Sequence, residues 1–302
     1  MDESRTVVKR IDKISQKLPL LGEVISFGYD MWQIQNGMRD AVNIPSLLIM
    51  KADRERYEKR IKENLPLLDK QDILVTLHMS QWMENAHRVM QFLRERRPQL
   101  IESIEEIEKH IQGTDAKKLI EPYLPPLDST PYHGVMHQEN NDALMFYVLD
   151  CSLKPSARTY GKICADFFSK MDPNDWKLSI CPLCGGKPMM GEIKGEEGKK
   201  YLICSWCETV WLYRRVECPF CQNSAHDSLK YFSSTDLEIE EDLRLRVDMC
   251  EKCKKYLKTI DNKEDIFENK AFGLEDLLTL YLDLIAHKEG FERPIPQSLI
   301  SR

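Results

Sequence analysis

Through about residue 170 the apolar positions recur with a helical period. Val7, Ile11, Ile14 and Leu18 share one face, and Leu74, Leu77, Trp82, Ala86, Met90 and Leu93 follow the same period with looser phasing. In IESIEEIEKHIQ, Ile101, Ile104, Ile107 and Ile111 form an apolar stripe against a face rich in Glu and Lys. Interruptions fall at AVNIPS, ENLPLLD and EPYLPPLDSTPYHG, the last being the most turn-rich segment of this half. The pattern predicts an irregular helical bundle.

The period changes after SKMDPNDWK, residues 169–177. Leu243, Leu245, Val247 and Met249 alternate with Arg244, Arg246 and Asp248, as a half-buried strand requires, and TVWLYRRV at 209–216 is rich in β-branched and aromatic residues. The helical period returns after Lys263 in FGLEDLLTLYLDLIAHKEG. There Leu274, Leu277, Leu278, Tyr281, Leu282 and Ile285 line one face of a single predicted helix. Glu275 and Asp276 in its first turn and His287 and Lys288 in its last suit the helix dipole, and Gly290 supplies a stop.

Between these helical regions lie eight of the chain's ten cysteines. They form four C-x2-C pairs: Cys181 with Cys184, Cys204 with Cys207, Cys218 with Cys221, and Cys250 with Cys253. Such a pair places two sulfurs at adjacent corners of a tetrahedron, and two pairs complete a four-cysteine site for zinc or a single iron ion. Four pairs therefore predict two metal sites. CPLC then CSWC, followed by CPFC then CEKC, reads as a duplicated ribbon and suggests that consecutive pairs share a metal. A cross-braced arrangement, first pair with third and second with fourth, uses the same ligands and stays open. Pro182 and Pro219 pre-set the turn φ, and Gly185 and Gly186 supply freedom where positive φ is needed.

The predicted fold class is thus α+β, with a helical domain over 1–175, ribbons over 176–216 and 217–263, and a C-terminal helix and tail over 264–302. A chain of 302 residues with 42% hydrophobic positions is long and apolar enough for two domains. MDESRTVVKRIDK has no apolar signal-peptide core, and IPSLLIM is too short to span a bilayer, so a cytoplasmic protein with no membrane insertion is expected. In that reducing compartment, paired cysteines hold metal more often than they form disulfides. The formal net charge of −6 falls to about −10 if eight thiolates take up two divalent ions.

The remaining candidates are weaker. Cys151 and Cys164 sit in apolar helical surroundings and read as small buried hydrophobes. His133 and His137 in YHGVMH read as loop histidines, His226 as a neighbour of the second metal, and His287 as a helix-end residue. GEIKGEEGKK reads as a hairpin tip. No nucleophile elbow, phosphate loop or dinucleotide fingerprint appears, so no catalytic residues are assigned and a non-enzymatic role is expected.

CPLCGGKP, KYLICSWCETVWLYRRVECPFC and CEKCKKYLK resemble the formate dehydrogenase accessory (formation) protein family, the FdhE-like proteins. The likeness runs over about 180–259 and is supported by EDLLTLYLDLIAHKEGFERP. It implies a cytoplasmic factor with a helical N-terminal domain and two rubredoxin-like or zinc-ribbon modules, each holding iron or zinc on the eight paired cysteines. It also implies binding to the catalytic subunit of formate dehydrogenase during assembly, maturation or activation; a homodimer is an open alternative. Trp206, Trp211, Tyr213 and Phe220 cluster around the inner pairs and are candidate partner-binding residues, with ribbon core packing as the competing reading.

Two rival functions remain. A thiol or iron redox protein acting on a client enzyme requires labile metal and exposed sulfurs. A nucleic-acid-binding ribbon requires a basic stripe, yet from Cys181 to Asp261 the sequence has 13 Lys and Arg against 14 Asp and Glu.

Overall fold

The computed structural model describes residues 3–41, 54–124, 140–169, 175–233, 245–262 and 271–294. His133, His137, Leu243 and Arg244 lie outside them. Contacts divide the chain into two units. One comprises 1–30, 171–181 and 187–295; the other comprises 31–170, 182–186 and 296–302. The first thirty residues therefore belong with the cysteine-bearing sheet by contact.

The helical elements are α1 (Glu3–Lys17), α2 (Pro19–Ala41), α3 (Arg54–Lys62), α4 (Lys70–Thr76), α5 (Met79–Arg96), α6 (Ile101–Gly113), α7 (Ala116–Ile120) and α8 (Asn140–Ser169). The loose phasing from Leu74 to Leu93 has a simple cause: it spans two helices. Asp69 and Asp72 form a reciprocal capping box at the start of α4, and α5 begins anew after Leu77 and His78. Trp82, Ala86, Met90 and Leu93 are all buried, as are Ile104, Ile107 and Ile111 of α6, while Ile101 is exposed.

The long helix α8 carries Pro155 in its interior. Proline has no N–H to return to the carbonyl of Cys151. Gln35 Nε2 donates to that oxygen at 3.0 Å instead, and Gln35 Oε1 accepts from Arg158 Nη1 at 3.2 Å. Trp82 Nε1 donates to Ser152 Oγ one residue further on. Cys151 and Cys164 are buried in this helix, and burial pushes the Cys151 thiol up to about 12.

In the other unit six strands form one sheet among the described residues: β1 (Pro188–Lys194), β2 (Lys199–Cys204), β3 (Val210–Tyr213), β4 (Leu229–Ser233), β5 (Leu245–Cys250) and β6 (Lys255–Asn262). The spatial order is β3-β2-β1-β6-β5-β4. Neighbours are antiparallel except β1 and β6, which are parallel with Gly191 opposite Thr259. Each ribbon contributes three strands, and the central parallel pair fuses the two ribbons into one sheet. GEIKGEEGKK forms the β1–β2 hairpin as expected, whereas TVWLYRRV is a strand only over Val210–Tyr213.

Alternation decides what each face of the sheet meets. Met190, Ile203, Leu245, Val247, Tyr256 and Ile260 share a core with Tyr281, Leu282, Ala286 and Phe291, and Leu18 and Leu21 pack against it. The C-terminal helical residues fall into two helices, α9 (Phe272–Leu278) and α10 (Leu280–Lys288), where the periodicity predicts one. Thr279 separates them at φ −109° and ψ 23°, its hydroxyl donating back to the carbonyl oxygens of Glu275 and Asp276. The two acidic residues assigned to the helix dipole are engaged elsewhere too: Glu275 pairs with Arg10, and Asp276 with Lys258 and Arg293. Gly290 ends α10 at φ +83°.

Candidate metal centres

The four C-x2-C pairs are built from one local device used four times. Cys181 and Cys184 precede β1, and Cys218 and Cys221 precede β4. Cys204 and Cys250 end β2 and β5, with Cys207 and Cys253 in the turns that follow. Immediately after the second cysteine of every pair the backbone is left-handed: Gly185 at φ 77°, Glu208 at 58°, Gln222 at 57° and Lys254 at 55°. Inside two of the pairs, ahead of this bend, a backbone N–H points back at the first sulfur. Trp206 N lies 3.4 Å from Cys204 Sγ, and Phe220 N lies 3.5 Å from Cys218 Sγ. Gln222 N–H donates to Cys218 O, and Lys254 N–H to Cys250 O, closing two of the loops.

Only the first of these left-handed positions carries glycine, so only that one was legible in the sequence. An L residue in this conformation costs about 1–2 kcal/mol. Glu208, Gln222 and Lys254 persist there because surrounding bonds over-determine them. Metal–sulfur bonds on both sulfurs of a pair would supply that constraint.

The sulfurs gather as Cys181, Cys184, Cys204 and Cys207 in one group and Cys218, Cys221, Cys250 and Cys253 in the other, all within 4.8 Å of one another. Consecutive pairs therefore share a cluster, and the cross-braced alternative is not formed. The Sγ–Sγ separations are 3.6 Å for Cys181–Cys207, 3.7 Å for Cys218–Cys253 and 3.6 Å for Cys221–Cys250. A metal–sulfur bond of about 2.3 Å gives a tetrahedral edge of about 3.8 Å. Each cluster can thus hold one ion, and none of the eight cysteines is in a disulfide.

The sulfurs have unlike surroundings. Cys207 Sγ donates to Thr209 Oγ1 at 3.1 Å, and Asn223 Nδ2 donates to Cys250 Sγ at 3.7 Å. Burial alone would raise the Cys250 thiol, but N–H groups of Cys253 and Lys252 outweigh it and bring the thiol down to about 7. Burial pushes Cys218 well up and Cys253 up to about 11. His226 lies outside both clusters, exposed in a short 3-10 turn.

The four aromatic candidates separate. Trp206, Trp211 and Tyr213 are buried, with Tyr213 Oη donating to Glu217 Oε1 at 2.6 Å. The register places Trp211 opposite Leu202 and Tyr213 opposite Lys200, on the sheet face away from α9 and α10. Ribbon packing is what these three do in the described structure. Phe220 is half-buried and retains surface.

Residues 180–215 match the FdhE central domain, and residues 216–300 match the FdhE C-terminal domain. An FdhE homolog from Aquifex aeolicus is 28% identical over 96% of this chain and 92% of its own length. Residues 180–300 are thus FdhE-like. An FdhE homolog from Pseudomonas aeruginosa is 36% identical over 41% of this chain and 40% of its own length. The crystal structure of the FdhE protein from Pseudomonas aeruginosa shares the fold, with a TM-score of 0.60 at 19% identity over 97% of this chain and 92% of that one. No helix among the described residues is long and apolar enough to cross a membrane.

Proposed function

We propose that this chain is a cytoplasmic, non-catalytic accessory protein for formate dehydrogenase. It binds the catalytic subunit during assembly, maturation or activation. It holds one iron or zinc ion in each four-cysteine cluster. The match of residues 180–300 to the two FdhE domains, together with two four-sulfur clusters of metal-binding dimensions, supports this reading. A closed tetrathiolate has no vacant position for a substrate, which favours a staple that shapes a binding surface over a catalytic metal. The near balance of basic and acidic residues in the ribbons argues against a nucleic-acid partner.

The test is deletion of the gene in its host, with formate dehydrogenase activity and capture of the catalytic subunit by tagged protein as readouts. Lost activity, restored by the wild-type gene, together with capture of the subunit supports the proposal. Full activity in the deletion strain overturns it. A redox role has one observation in its favour: Cys221 and Cys253 are half-buried, whereas the first cluster is wholly buried. A reversible one-electron visible transition in the iron-loaded protein would support that second reading.

A further inference from the structure

The two clusters share one geometry and differ in what surrounds them. Every cysteine of the first is buried, while two of the second reach the surface. A cavity of about 230 Å³ also opens beside the second cluster, with Cys218 and Cys250 in its wall. Its position follows from the topology. β3 and β4 lie at opposite edges of the sheet, so the 214–228 connection must pass from one edge to the other. The cavity is lined on one side by this connection, through Arg215 and Phe220, and on the other by sheet residues Asp248 and Leu257.

Its lining is unusual for an acidic protein. Lys200, Arg215, Lys230, Arg246 and Lys255 face it, against only Glu217 and Asp248 among carboxylates. Asp248 is already committed to Lys200 at 2.9 Å and Arg246 at 2.8 Å, and Glu217 to Tyr213 and Arg214. No carboxylate among the described residues pairs with Arg215 or Lys255. Lys230 is paired with Glu251 at 3.0 Å, and four thiolates around a divalent ion carry a net charge of about −2, so Arg215 and Lys255 are the lining cations left to meet an anionic group. The space admits several waters or one small ligand.

We infer that the second cluster is an exchange centre, reached through this cavity by a small carboxylate-bearing chelating ligand, while the first is a closed staple. In the exchange each metal–sulfur bond that breaks is replaced by a metal–oxygen or metal–nitrogen bond, and each released thiolate takes a proton from water. No electron moves. The inference rests on both clusters holding metal.

The full chain loaded with zinc is the material for the test. Zinc release is followed with 4-(2-pyridylazo)resorcinol, using anionic iminodiacetate or neutral 2,2′-bipyridine as the mobile ligand. Freed thiols are trapped with N-ethylmaleimide and located by peptide mass spectrometry. One equivalent leaves about tenfold faster than the other, and the labelled residues are Cys218, Cys221, Cys250 and Cys253. Iminodiacetate accelerates the fast phase more than bipyridine does, and the double variant Arg215→Gln/Lys255→Gln removes that preference. Leu229→Trp, which fills the cavity from the edge strand, slows the fast phase and leaves the slow phase unchanged. Simultaneous release, first labelling at Cys181 or Cys204, or equal acceleration by the two ligands overturns the exchange centre. Loading of fewer than two equivalents instead refutes the metal reading on which it rests.

Discussion

Lys258 has no exposed side-chain surface, although its sequence, KCKKYLK, reads as a small basic patch. Its ammonium lies 2.6 Å from Asp283 Oδ2 and 2.9 Å from Asp276 Oδ1. Arg293 reaches the same two carboxylates, and Tyr256 Oη donates to Asp283 at 2.7 Å. Two cations thus meet two anions where water is excluded, and losing one partner strands a buried charge. Lys258→Met should cost about 3–5 kcal/mol, read as a lowered urea midpoint. The same network sets an acid limit. Burial would raise Asp276, but Arg293 and Lys258 outweigh it and hold the carboxyl below the usual 3.8. Asp248 is likewise raised by burial and lowered further by Lys200 and Arg246. A depressed carboxyl contributes stability that is complete above 3.8 and is lost as pH falls through its lower folded value. Stability against urea should therefore drop steeply below about pH 4, and Asp276→Asn should flatten that drop. At the knuckles, Gly185→Ala should cost about 1–2 kcal/mol and weaken metal retention, measured by competition with a chelator.

Helix α8 continues through Pro155 because another residue answers the orphaned carbonyl. Gln35→Ala leaves Cys151 O and Arg158 without that partner, and should cost about 1–3 kcal/mol in a thermal or urea melt. Nothing in the local sequence of α2 announces this role, since Gln35 and Cys151 are 116 positions apart. The two misread boundaries have local causes of a different kind. Apolar spacing continues across Leu77–His78 and across Thr279, so periodicity alone joins helices that capping and a threonine side chain divide. In α9 the acidic residues suited to the dipole are also consumed by distant cations, which a helix considered alone does not reveal.

The two ribbons form one sheet through a parallel pair, β1 with β6, in which Gly191 is essential for space rather than conformation. A Cβ there would come within 2.9 Å of Thr259 Oγ1, the hydroxyl that donates to Asp248. Lys200 of the first ribbon also pairs with Asp248 of the second, across the two central strands. Both cysteine clusters therefore belong to one continuous sheet. Chelation of both ions should raise the hydrogen-exchange rates of β1–β6 amides before those of α5 and α8, whose core of Trp82, Met90 and Leu149 contains no paired cysteine. Equal loss of protection in the helices and the sheet would contradict this.

Four local cysteine pairs, a helical period and a strand alternation were enough to determine, from sequence alone, the cysteines that cluster, the α+β class and the duplicated ribbon. Each of these signals acts over a few residues, within the reach of one turn or one strand. The tertiary structure decided the rest: which pairs share a cluster, how two ribbons become one sheet, that residues 1–30 fall in the same unit as that sheet, and that Lys258 is buried. Those outcomes depend on groups brought together from scores of positions apart, such as Gly191 with Thr259 and Arg10 with Glu275. Local periodicity carries no record of such partners, because burial and charge pairing are settled only when distant segments pack.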